Sequence, residues 1–99
     1  TMAGQAAKQP TENKEVQKLR KKAEEGDADA QNKMGDLYWD GMHGVERSHE
    51  EAMTWFAKSA EQGNTDAEYS MGFAYLSGQG VERDMEQGAI WLTKAADKG

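Results

Sequence analysis

The sequence predicts an all-α protein of repeated helix–loop–helix units, about five helices in all, and three observations predict it. The first is self-similarity: the segment from Ala30 to Gly63 overlays the segment from Ala67 to Gly99 along its whole length. The second is helical periodicity in the apolar positions within each unit. The third is a glycine closing every second helix, at Gly26, Gly63 and Gly99, where the left-handed backbone that ends a helix is accessible.

The segment 1–11 comes first. It is small and polar, carries the only proline, Pro10, and reads as a disordered tail. It lacks the apolar core of a signal peptide and reads either as the stretch left once a signal is removed or as a remnant of an expression vector. The former favours a periplasmic or secreted location over a cytoplasmic one. A helix over 12–25 comes next as a capping half-repeat, 12–26, because Val16, Leu19, Ala23 and Gly26 fall 37 residues before Met53, Phe56, Ala60 and Gly63. Helices over 28–39 and 48–61 make a first complete unit, 27–63. Helices over 65–76 and 84–97 make a second, 64–99.

The two units agree in detail. Met34-Gly35, Tyr38 and Gly41 recur at an offset of 37 as Met71-Gly72, Tyr75 and Gly78. After one extra loop residue the offset becomes 36, pairing Gly44-Val45-Glu46-Arg47 with Gly80-Val81-Glu82-Arg83, then Trp55 with Trp91 and Lys58 with Lys94. Ala30, Met34, Leu37 and Tyr38 share one helical face, as do Ala67, Met71, Ala74 and Tyr75, and these are the expected inner faces. Gly35 and Gly72 inside helices cost about 1 kcal/mol each relative to Ala, so close approach of a neighbouring helix is their expected purpose. On the second helices, Met53, Phe56 and Ala60 match Ala89, Leu92 and Ala96 as a contact stripe. Trp55 and Trp91 share one repeat position and read as structural, so Trp91→Ala is expected to cost about 3 kcal/mol or more.

The pattern Ala67, Met71-Gly72, Tyr75, Gly78-Gln79-Gly80-Val81, Asp84, Ala89, Trp91, Lys94-Ala95-Ala96 and Gly99 resembles the Sel1-like repeat, a relative of the tetratricopeptide repeat with a longer loop. The resemblance covers 27–99 and joins more than ten positions at matching spacing. The first unit departs from it at Met42-His43, which adds a residue, at Ser48 in place of Asp and at Ser59 in place of Ala; the half-repeat has Lys18 where the units have Trp. It implies an α/α solenoid, a right-handed superhelix of antiparallel helix pairs whose first helices line a concave face. It also implies adaptor or scaffold work through protein–protein interaction, in a bacterial secretion, envelope or toxin-neutralising setting.

Composition narrows the partner. The 99 residues carry a net charge of −6, and from position 34 onward five basic residues face twelve acidic ones. Such a surface repels nucleic acid phosphates and anionic lipid, so neither nucleic acid nor membrane is an expected partner. There is no cysteine, which removes thiolate chemistry and the usual structural zinc sites. His43 and His49 lack the i, i+4 spacing of a helical zinc motif. Gly78-Gln79-Gly80 is not followed by the Lys-Ser or Lys-Thr of a phosphate loop. Adjacent acids such as Glu24-Glu25 and Glu50-Glu51 read as solvated helix faces. No catalytic, metal or cofactor site is expected. The basic run Lys18, Arg20, Lys21 and Lys22 reads as the polar outer face of a capping helix.

The partner-binding candidates are the first-helix residues that differ between units while the inner faces agree: Asn32, Asp36 and Trp39, matched by Tyr69, Phe73 and Leu76. Repetition marks what stacking needs, and difference marks what stacking leaves free. Aromatic side chains dominate interface energetics, and Asp29, Asp36, Asp40 and Asp66 nearby favour a protein or peptide with basic groups. Two other readings stand beside this one: a purely structural segment of a longer scaffold, or a self-associating one that dimerises end to end through the face near Trp91 and Leu92. A hydrolase-like or cell-wall-fragment-binding role, which the resemblance also brings, finds no nucleophile arrangement here.

Overall fold

A computed structural model describes residues 12–98 and shows five α-helices among them: α1 Lys14–Glu24, α2 Ala28–Asp40, α3 His49–Glu61, α4 Thr65–Ser77 and α5 Met85–Asp97. The reading of 1–11 as a tail and of Gly99 as a closing residue fall outside the described residues. Each helix starts on a side chain that accepts an otherwise orphaned backbone N–H. Asn13, Asp27, Ser48, Asn64 and Asp84 accept from Val16, Ala30, Glu51, Ala67 and Gln87 at 2.9 to 3.1 Å. Loss of any one such cap costs about 1 kcal/mol. Each helix packs on the next in chain order, giving an elongated stack of 41 × 24 × 21 Å, the expected all-α solenoid.

The core runs along that stack, from Val16, Ala23, Ala30, Met34 and Tyr38 through Met53, Trp55 and Phe56 to Ala67, Met71 and Ala74. The helical glycines explain how the pairs approach. A Cβ on Gly35 would lie 2.5 Å from the Phe56 ring, and one on Gly72 would lie 2.6 Å from Leu92. Gly88 on α5 faces Leu76 in the same way, at 2.7 Å. The two long loops are tied alike: Ser48 N–H donates to the Tyr38 carbonyl at 2.8 Å, and Asp84 N–H to the Tyr75 carbonyl at 2.9 Å. The extra residue of the first loop is absorbed at His43, whose φ of 57° makes it the one non-glycine left-handed residue among those described.

A polar link joins the ends of each unit. In the first, Gln62 Nε2 donates to the Gly26 carbonyl at 2.8 Å and to Gln31 Oε1 at 2.9 Å. In the second, Lys98 Nζ donates to the Gly63 carbonyl at 2.8 Å and to Glu68 Oε2 at 2.7 Å. A neutral amide pair at one end of the stack is thus an ion pair at the other, in the same place. Ser59, a departure from the repeat pattern, is fully buried and donates to the Ala28 carbonyl at 2.7 Å.

Three expectations need correction. Arg20 is not part of a solvated face. It is buried, its guanidinium donates to both carboxylate oxygens of buried Glu12 at 3.2 and 2.7 Å, and its Cζ lies 5.5 Å from the Tyr38 ring centroid. A fork-shaped cation can leave a basic run and turn inward where a carboxylate answers it bidentately. Lys18, Lys21 and Lys22 do stay exposed. Second, Trp91 is only partly buried, whereas Trp55 is 8% exposed. Third, Ala89 and Ala96 are exposed although their matches Met53 and Ala60 are buried. Both differences have one cause: α4 covers α3, and no described element covers the outer face of α5.

Candidate functional site

α2 and α4 are the first helices of their units, and both pack against α3. Residues at one turn position of each therefore look at each other across α3. Asp36 and Trp39 from α2, Ser70 and Phe73 from α4, and Phe56 from α3 surround an open cavity of about 180 Å³. Phe56, 2% exposed, belongs to its buried base, while Phe73 is 61% exposed. The Trp39 ring lies 4.2 Å, centroid to centroid, from His49 and 6.1 Å from Phe56. His49 is in turn reached by Arg47 Nη2 at 3.4 Å from its Nε2. These contacts order an aromatic side chain that is otherwise only partly buried.

The six candidate residues do not all meet. Asp36, Trp39 and Phe73 line the one cavity. Tyr69, 38% exposed, lies a turn earlier on α4 and does not line it. Asn32 is partly buried, and its Oδ1 has no hydrogen-bond partner among the described residues. Leu76 is directed against Gly88 of α5 and serves the contact between the two helices of its unit. Ser70 and Phe56 are not singled out by the sequence: Ser70 carries no chemistry that its spacing reveals, and Phe56 matches core residues. His49, a residue whose type suggests metal binding, supports Trp39 instead.

Electrostatically the cavity is acidic. Asp36 is solvent-exposed at the rim, but partial desolvation of its carboxyl, with the nearby charges of Asp40 and Asp66, raises it above its ordinary pKa. Asp36 forms no hydrogen bond or ion pair with any described residue. A larger cavity of about 530 Å³ lies on the other side of Asp36, between α1 and α2, where Val16, Leu19, Lys33, Leu37 and His43 contribute to its lining. Its lysine and its position at the first loop distinguish it from the aromatic cavity between the units. Among the described residues no three His, Cys, Asp or Glu are placed to hold a metal ion, and no helix is long and apolar enough to cross a membrane.

The family model of the Sel1 repeat matches residues 28–64 and 65–99. The crystal structure of a Sel1 repeat protein from Oxalobacter formigenes is similar at 38% identity and a TM-score of 0.72, over 75% of this chain and 30% of that one. The crystal structure of c5321, described as a protective antigen of uropathogenic Escherichia coli strains with an SLR fold, is similar at 44% identity and a TM-score of 0.81, over 88% of this chain and 18% of that one. The chain thus spans less than a third of the length of either. None of the curated proteins matches it.

Proposed function

Because the chain belongs to the Sel1 repeat family, whose members are in general protein-interaction modules, we propose that it is a non-enzymatic adaptor that holds a protein or peptide segment along the face made by α2 and α4. The observation that carries this reading is the aromatic cavity between those helices, where Trp39 and Phe73 remain accessible beside Asp36. A large aromatic side chain left 61% exposed in so small a core is apolar surface kept from the fold. The helices that present it are already ordered, so a docking segment loses little of its binding energy to ordering this chain. The acidic groups around the cavity favour a partner with basic residues over nucleic acid or an anionic membrane.

The test is affinity capture with the wild type and with a Trp39→Ala, Tyr69→Ala, Phe73→Ala variant whose helicity and cooperative melt are checked first. Loss of specific partners from the variant supports the reading. Equal recovery of every partner by both proteins overturns it.

A second reading is favoured by α5. Ala89 and Ala96 are exposed where their matches on α3, Met53 and Ala60, are buried under a first helix, and Met85 on the same helix is 62% exposed. That face suits one more first helix of the repeat, so the chain also serves as a stacking segment of a longer scaffold. Fusing a further first helix after residue 99 should raise the melting temperature. An unchanged melt would refute this second reading.

A further inference from the structure

The cavity between α2 and α4 combines three properties that a small-molecule site does not need and a single cationic side chain does. Its volume of about 180 Å³ is below the roughly 300–1,000 Å³ of pockets that enclose drug-sized ligands. Its walls are aromatic on both helices, Trp39 on α2 and Phe73 on α4, above Phe56. Its one ionisable lining group, Asp36, has no ion-pair partner among the described residues. Among the described residues no lysine or arginine lines it, and Lys33 lines the cavity on the α1 side instead.

We propose that this cavity is an anchor site for one arginine side chain of the bound partner, its guanidinium paired with the Asp36 carboxylate and stacked against Trp39 and Phe73. The inference rests on the protein-binding reading above and names the chemistry that the cavity selects. Arginine fits better than lysine for two reasons. A planar, weakly hydrated guanidinium stacks on aromatic faces, and its fork of N–H groups meets a carboxylate bidentately, whereas an ammonium is a strongly hydrated point charge. The surrounding charge has the same sign throughout: Asp40 and Asp66 act on Asp36 by repulsion, and a bound cation relieves that repulsion. Two of its residues, Asp36 and Phe73, occupy the same repeat position in adjacent units, 37 residues apart. One unit supplies the charge and the next supplies an aromatic wall, so the site exists only where these two units stack.

The experiment titrates the isotopically labelled full chain with three capped pentapeptides, Gly-Gly-X-Gly-Gly, in which X is arginine, its neutral isostere citrulline, or lysine. The readouts are the Trp39 indole N–H and the backbone amides of Asp36, Ser70 and Phe73. The arginine peptide should give saturable shifts at these groups, with citrulline and lysine at least about tenfold weaker, in keeping with a charge-assisted bidentate contact. Asp36→Asn should weaken the arginine peptide by about tenfold as well and leave citrulline binding unchanged. Phe73 is so exposed that Phe73→Ala should leave the melt intact while weakening the same peptide.

Absence of shifts at these groups, equal binding of arginine and citrulline, equal binding of lysine, or indifference to Asp36→Asn would each overturn the proposal. The two readings fail separately. Groove-dependent capture of partners without arginine preference leaves the adaptor role standing and removes the arginine anchor. Selective arginine binding with capture indifferent to the groove variant does the reverse.

Discussion

One substitution, made at the same repeat position in two units, should have unequal effects. Trp55 and Trp91 are 36 residues apart and each has a lysine ammonium over its ring, Lys58 at 5.2 Å and Lys94 at 4.7 Å. What differs is burial: Trp55 is 8% exposed, and Trp91 only partly buried. A tryptophan buries about 150–250 Å², which at about 25 cal/mol per Å² is worth roughly 4–6 kcal/mol when fully taken from water. Truncations of core aromatic residues cost about 3–5 kcal/mol, so Trp55→Ala should lose about 4 kcal/mol. Trp91→Ala removes less buried area and opens no enclosed cavity, and should lose about 2 kcal/mol. For a domain of about 100 residues, 1 kcal/mol moves Tm by about 4–8 °C. Trp91→Ala should therefore melt about 8–16 °C low, and Trp55→Ala at least about twice as far below the wild type. Urea unfolding followed by circular dichroism measures both losses, with tryptophan fluorescence of the remaining rings as a second probe. Equal losses, or a larger loss at Trp91, would refute the argument that the outer face of α5 stands uncovered while that of α3 is sealed.

Three further outcomes are expected from the packing and the charges. Gly35→Ala places a methyl group 2.5 Å from the Phe56 ring, so overpacking of about 1–3 kcal/mol should exceed the roughly 1 kcal/mol gained in helix propensity, and a raised Tm would contradict it. Lys98→Met leaves the buried Glu68 carboxylate without its partner and should cost about 1–3 kcal/mol; the double change Glu68→Gln, Lys98→Gln, which repeats the Gln31–Gln62 pair, should recover most of that loss in the same melt. Asp36→Asn should slightly stabilise the protein at pH 7, because partial desolvation of this exposed carboxyl and two neighbouring acids raise its folded-state pKa. A carboxyl whose pKa is raised on folding destabilises when ionised, so the advantage of Asn should shrink as pH falls through the folded pKa and vanish below the unfolded value of about 3.9. A constant difference in Tm between the two proteins from pH 7 to pH 3 would show that the Asp36 environment does not act through its charge.

Much of the fold is legible in the sequence because repetition turns a weak local signal into a strong one. Gly35 and Gly72 imply close helix contacts without naming the partners, and Phe56 and Leu92 prove to be those partners. Helix starts are legible to within a residue or two because Asp27, Ser48, Asn64 and Asp84 are capping side chains. The burial of Arg20 is hidden because periodicity reports which way a residue faces but not whether a carboxylate eight residues back awaits it. The exposure of Ala89 and Ala96 is hidden for a different reason: identity of repeat position does not carry identity of environment when a described helix covers that side in one unit and none does in the other. At the candidate site, the rule that differing positions are free picks Asp36, Trp39 and Phe73, which line one cavity, together with Asn32, Tyr69 and Leu76, which do not. Leu76 faces Gly88, a small residue where the first unit has Ala52, and that exchange across α4 and α5 is visible only when both helices are in place.

The link at the end of each unit bears on how such units can be rearranged. The residue that varies, Gln62 or Lys98, meets its variable partner, Gln31 or Glu68, within one unit, and reaches the preceding unit only through a backbone carbonyl, of Gly26 or Gly63. A carbonyl is the same whatever side chain its residue bears. A recombination point placed just after Gly26 or Gly63 therefore keeps each matched pair together; the Asn64–Asp29 hydrogen bond crosses the second point, and the Gln31 bond to the Ala23 carbonyl and the Arg20–Tyr38 contact cross the first. A point placed inside a unit would set Gln31 against Lys98 or Glu68 against Gln62. Genes for proteins of this kind can then lengthen, shorten or exchange whole units at the glycine boundary while preserving the polar closure of each, and selection is left to act on the surfaces that the units carry.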